Sequence, residues 1–195
     1  FNGSDNYLLS DTSLIGGQAI DLELEFSYKD FSGNNCLFSA GGFNSANKGL
    51  MVYMDFTEKI KVTTSSGSVL STATFQDLST SDVGNKLRLR LQWSGITGEE
   101  MSCEIWGDDF TVTGVGTGFT YNKATSLDTT GWSGNSSQNI AIGAYSTSAP
   151  ISFYSDKIFS MKLAGYFEVY LNGLGAYEYD VNGNMNFQWY GTGDH

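Results

Sequence analysis

Side chains able to do chemistry are few in this chain, and their types narrow what that chemistry is. Trp132, flanked by Gly131 and by Ser133-Gly134-Asn135, shares with Tyr121, Asn122 and Asp128 a stretch from Gly114 to Ser137 that lacks apolar alternation. Flat rings that stack on pyranose faces, with amides and carboxylates to fix hydroxyl groups, are what sugar recognition requires. Trp132, Tyr121, Asn135 and Asp128 are therefore the candidate carbohydrate-binding residues, with Tyr121, Trp132 and Asn135 expected near one concave rim. A loop Trp folded back onto the core is the competing reading. Asp108 and Asp109 adjoin in a turn and, with Asp5 or Asp128, are the oxygen donors a calcium ion would use; no calcium-loop spacing accompanies them, and adjacent acids also suit a plain turn. Asp21, Glu23 and Glu25 alternate with Leu22, Leu24 and Phe26, so three carboxylates share one face of a strand.

Other chemistries are excluded by what is scarce. The single histidine is His195, the last residue, which removes His-dependent triads and imidazole acid/base pairs. Two cysteines, Cys36 and Cys103, are too few for a Cys-based zinc site. Both fall in alternating runs and read as buried free thiols on neighbouring strands, with one bridge as the alternative. Ten Lys and Arg against 21 Asp and Glu leave a net charge of −11. Such a surface repels phosphate backbones and anionic headgroups, so nucleic acid is not an expected partner. No run of about 18 apolar residues is present to insert in a bilayer, and no basic start followed by an apolar stretch marks an export signal.

The elements that must carry these residues are strands. In Lys86 to Trp93, Leu87, Leu89, Leu91 and Trp93 share one face while Lys86, Arg88, Arg90 and Gln92 share the other, the pattern of a half-buried antiparallel strand. Similar runs recur from Ala19 to Leu171, separated by turn signals such as Gly41-Gly42, Ser66-Gly67 and the hairpin dipeptides Asn172-Gly173 and Asn182-Gly183. No segment keeps a helical stripe for three turns. About a dozen short strands at this spacing predict an all-β, two-sheet antiparallel sandwich or jelly roll, with the four apolar residues of Lys86 to Trp93 facing the second sheet. The 195 residues suit one domain with a full core. The jelly roll is expected over residues 1–175, and residues 176–195 as C-terminal edge strands or the start of a following repeat.

The opening Phe1-Asn2-Gly3-Ser4-Asp5-Asn6-Tyr7-Leu8 resembles that of laminin-G-like, concanavalin A-like lectin/glucanase domains in their bacterial and phage form. Ile20 to Tyr28 looks like that family's second strand, Gly84 to Trp93 with Glu104-Ile105-Trp106-Gly107 like its central pair, and Ile140-Ala141-Ile142-Gly143 like a late strand. Asp156-Lys157-Ile158-Phe159-Ser160 departs from the family's closing Ile-Asp-Glu core. The resemblance implies a concanavalin A-like jelly roll, with calcium the one ion family members often hold at a rim. Asp21-x-Glu23-x-Glu25 also looks like the Glu-x-Asp-x-Glu catalytic strand of sandwich-fold beta-glucanases, whose carboxylates, about 5–5.5 Å apart, serve as nucleophile and acid/base. Here Asp21 stands where a Glu nucleophile belongs, and the strand comes early in the chain.

The function implied is a non-catalytic, lectin-like carbohydrate-binding or adhesion module without a cofactor. Its closest fit is a bacteriophage virion appendage (a fibre, spike or capsid decoration) that contacts cell-surface or extracellular polysaccharide and other virion or adhesin subunits. The alternatives are a secreted bacterial glycoside hydrolase or polysaccharide lyase using Glu23 and Glu25, and a purely structural virion protein. Extracellular space or the virion surface is the implied location.

Overall fold

A computed structural model describes residues 5–28, 34–57, 59–76, 84–107, 122–146, 151–171, 176–179 and 187–190. Alternation governs what it shows. Fourteen strands among these residues form two sheets. The first sheet contains β1 (Tyr7–Ser13), β3 (Asn35–Ala40), β4 (Gly49–Met54), β5 (Ile60–Ser65), β6 (Leu70–Phe75), β10 (Asn139–Ile142) and β14 (Phe187–Tyr190), in the order β14-β1-β10-β3-β4-β5-β6. The second contains β2 (Ile20–Ser27), β7 (Lys86–Trp93), β8 (Met101–Gly107), β9 (Asn122–Leu127), β11 (Ile158–Leu163), β12 (Phe167–Leu171) and β13 (Ala176–Tyr179), in the order β13-β12-β11-β2-β7-β8-β9. Every pairing is antiparallel, and β2 and β7 run in unbroken register from Ile20↔Trp93 to Ser27↔Lys86.

The apolar faces of the two sheets meet in one core. Leu87, Leu89 and Leu91 are fully buried and Trp93 nearly so, as their alternation predicts, and Leu22, Leu24 and Phe26 of β2 stand beside them. Phe38, Val52 and Val62 face them from the first sheet. Each such side chain contributes about 1.5–3 kcal/mol by leaving water. The sandwich closes along one side where β6 lies against β9. Along the other, Phe167 of β12 meets Phe187 of β14 edge to face at 4.9 Å. Residues 176–179 and 187–190 supply one of the two edge strands of each sheet, β13 beside β12 and β14 beside β1.

Three sequence expectations change. The stretch from Gly114 to Ser137 is not one irregular loop, because residues 122–127 form β9 along β8. Ile151 to Tyr154, whose alternation reads as a strand, makes only a bridge, Tyr145↔Ile151. Cys36 and Cys103 are both free and buried, but they belong to different sheets. Cys103 faces the core, and burial pushes its thiol up to about 12. Cys36 lies in a small separate cluster with Met51 and Tyr145, flanked by Phe43 and Tyr53. Among the described residues no helix is long and apolar enough to cross a membrane.

Candidate functional site

The aromatic loop residue singled out by sequence is a plug. Trp132 is 1% exposed. Its ring stacks on Trp93 with centroids 5.1 Å apart, and its indole N–H donates to the Asn135 carbonyl at 2.9 Å. The loop from residue 128 to 138 is drawn over this end of the sandwich by backbone bonds from Gly17 to Ser133 and from Ser137 to Lys48. Gly134 makes the closure possible: its φ of +81° suits glycine, and a Cβ there would stand 2.7 Å from the Trp93 ring. Apolar burial and a satisfied indole hold Trp132 inward, so it offers no free face to a sugar ring.

The other candidates in that set also serve turns. The Asp128 carboxylate accepts from the Thr130 N–H at 2.7 Å, and hydrogen bonds from Thr130 hold its pKa below the usual value. The Asn135 side-chain oxygen accepts from the Ser133 hydroxyl at 2.8 Å. Tyr121, Asp108 and Asp109 lie outside the described residues. Asn122 starts β9 and Trp132 follows its far end, so about 17 Å of strand lies between Asn122 and the loop that carries Trp132. No group of three metal-ligating side chains occurs among the described residues.

The structure instead builds a groove on the outer face of the second sheet, around the carboxylates of β2. It measures about 360 Å³ and is lined by Glu23, Glu25, Arg88, Trp106, Phe159 and Lys162, among others. Register explains the gathering. Across the sheet, Ser160, Glu25, Arg88, Trp106 and Asn122 occupy one row, which continues through the backbone positions of Tyr170 and Tyr177. The next row runs Glu168, Lys162, Glu23, Arg90, Glu104 on five successive strands, alternating in charge at every step. Opposite charges directly across a sheet each contribute about 0.2–1 kcal/mol.

The ion pairs are well formed. Arg90 donates to both oxygens of Asp21, from Nε at 2.9 Å and Nη2 at 2.8 Å, and its Nε lies 3.2 Å from Glu23. Glu25 receives Arg88 Nε at 2.5 Å and Lys86 Nζ at 2.7 Å. Lys162 Nζ is 3.4 Å from Glu168. Hydrogen bonding from Arg90 holds Asp21 below the usual carboxylate range. Burial pushes Glu25 up, but Lys86 and Arg88 together outweigh it and leave its pKa lowered. Lys86 also stands 4.9 Å from the centre of the Phe159 ring. Trp106 and Phe159 are half-buried, so part of each ring faces the groove.

Sequence alternation already carried the signal for Trp106: Met101, Cys103 and Ile105 face inward, so Trp106 must face out. Phe159 carried no such signal, because the register of β11 on β2 shifts between Ile158 and Ser160 and the parity of the strand is lost there.

No protein-family model matches the chain, and no curated protein matches it. Solved structures do. The LG1-3 region of the laminin alpha2 chain superposes with a TM-score of 0.57 at 11% identity, over 90% of this chain and 34% of that one. Domains LG4-5 of the mouse laminin alpha1 chain give 0.54 at 16%, over 92% and 43%. A heptameric SAP-like pentraxin from Limulus polyphemus gives 0.51 at 10%, over 84% and 71%. The fold is therefore the laminin-G-like, concanavalin A-like jelly-roll sandwich. The chain spans less than half the length of the two laminin fragments.

Proposed function

We propose that this chain is a non-catalytic, lectin-like carbohydrate-binding module whose glycan lies in the groove on the outer face of the second sheet. One observation carries the reading: the half-buried Trp106 and Phe159 rings line the same groove as a dense set of hydrogen-bonding side chains on hydrogen-bonded strands. Ring faces for pyranose and fixed polar groups for hydroxyls are the two needs of sugar binding, and a site on strands is pre-positioned. Replacing Trp106 by Ala is expected to cost about 1–3 kcal/mol of glycan affinity with little change in melting temperature. Titration calorimetry with a ligand found on a glycan array checks this. Full affinity in Trp106→Ala would remove the groove from the site.

The finer reading is display on a bacteriophage virion or another extracellular surface. The Phe-Asn-Gly-Ser-Asp-Asn-Tyr opening and a chain with 24 Gly and a single Pro support it. Silence on a broad array, with tight assembly onto a virion protein, would favour a purely structural module instead. A second function class, glycoside hydrolysis or polysaccharide cleavage by Glu23 and Glu25, is favoured by their position in the groove. Against hydrolysis, Glu25 is tied by ion pairs to Lys86 and Arg88 rather than standing free as a nucleophile or an acid. Reducing ends released from laminarin, agar, carrageenan or alginate, and abolished by Glu23→Gln, would replace the binding reading with the enzymatic one.

A further inference from the structure

We propose that the groove selects an uncharged glycan chain laid across the strands and turns away uronate- and sulfate-bearing polymers. The inference rests on the carbohydrate reading of the groove and names the ligand class it takes.

Cations are concentrated on this face, and among the described residues each already pairs with a carboxylate. Lys86, Arg88, Arg90 and Lys162 stand on it, four of the ten Lys and Arg in the chain. Each is already engaged by a carboxylate: Glu25 takes two, Asp21 takes both donors of the Arg90 fork, and Glu168 takes Lys162. A ligand carboxylate or sulfate would meet cations whose charge is already balanced, and would lie against the carboxylates that balance them. It would also enter the field of a chain with net charge −11, on a face where, among the described residues, five carboxylates outnumber the four cations. Anionic polymers are opposed both at long range and in contact.

A neutral chain meets no such cost. An ionised carboxylate is acceptor-only, with about four lone-pair sites, and the Glu23 side chain is 50% exposed while making one ion pair at 3.2 Å. It retains acceptor capacity for hydroxyl protons, the donors that an uncharged sugar presents on every ring. The alternating row from Glu168 to Glu104 spans four strand spacings of about 4.8 Å, about 19 Å in all, which suits a chain rather than a single ring.

The test uses the full chain in affinity electrophoresis through gels containing laminarin or mannan as neutral polymers and alginate, polygalacturonate or carrageenan as anionic ones, at low and high salt. Retention by a neutral polymer, unchanged by salt, with free migration through all anionic gels is the expected result. The Glu23→Lys/Glu104→Lys variant should gain about tenfold or more in retention by carrageenan, and lose it at high salt. If that variant melts early, Glu104→Lys alone, at the end of the row, replaces it. Wild-type retention by an anionic polymer that weakens with salt would overturn the selectivity while leaving the glycan reading intact. No gain of carrageenan retention in a folded variant would overturn the exclusion mechanism. Free migration of the wild type through every gel, neutral and anionic, would overturn both readings.

Discussion

Asp55 shows how much one side chain can organise. It directly follows β4, its side chain is 4% exposed, and its carboxylate accepts from the Thr57 N–H at 2.9 Å, the Thr57 hydroxyl at 2.6 Å and the Lys59 N–H at 3.2 Å while pairing with Lys61. Burial raises its pKa, but these four partners outweigh burial and leave it below the ordinary value of 3.8. The sign of the pH effect follows. A carboxyl depressed in the folded state contributes fully above its unfolded pKa and loses that contribution as pH falls through the folded value. Asp55→Asn keeps the shape but loses the charge and part of the acceptor set, and is expected to cost about 1–3 kcal/mol at neutral pH. Denaturation titrations at pH 7 and below pH 3 check this. The gap between wild type and variant should shrink on acidification, and a gap that widens would contradict the assignment.

At the scale of elements, the end cap from residue 128 to 138 belongs to stability. Trp132→Ala would leave a cavity beside Trp93 and is expected to cost about 3–5 kcal/mol. Gly134→Ala meets both a positive φ and the Trp93 ring and should cost about 1–3 kcal/mol. Chemical denaturation of both variants, with glycan affinity measured alongside, separates a cap from a binding loop. Large losses of stability with unaltered affinity are expected, and the reverse pattern would restore the loop as the site.

The same elements show what could be read from the sequence. β2 and β7 were legible because each turns an unbroken apolar face to the core. β6 and β9 were not, since these edge strands are built mainly from Ser, Thr, Ala, Asn and Lys, and their hydrogen bonds leave no apolar period. The inward turn of Trp132 was one of two readings the sequence left open, because the partner that decides it, Trp93, lies on a distant strand. The groove was half visible: the carboxylates of β2 and the outward parity of Trp106 follow from alternation, whereas the charge row needs the order of five strands that sequence does not state.

For the whole molecule, the sandwich separates two tasks. Its interior and end cap hold two tryptophans out of water, and its outer face presents a third beside an ion-paired row. The indole N–H groups distinguish these places: Trp93 donates to the Glu99 carbonyl and Trp132 to the Asn135 carbonyl, while Trp106 stands in the groove. Titrating isotopically labelled protein with a bound neutral glycan and following the indole N–H resonances by heteronuclear NMR is the most direct measurement of the central claim. The Trp106 indole, with the Arg88 and Arg90 Nε–H signals, is expected to shift while Trp93 and Trp132 stay in place. Shifts confined to Trp132 or Trp93, with Trp106 unmoved, would show that the glycan binds at the capped end and that the groove is not its site.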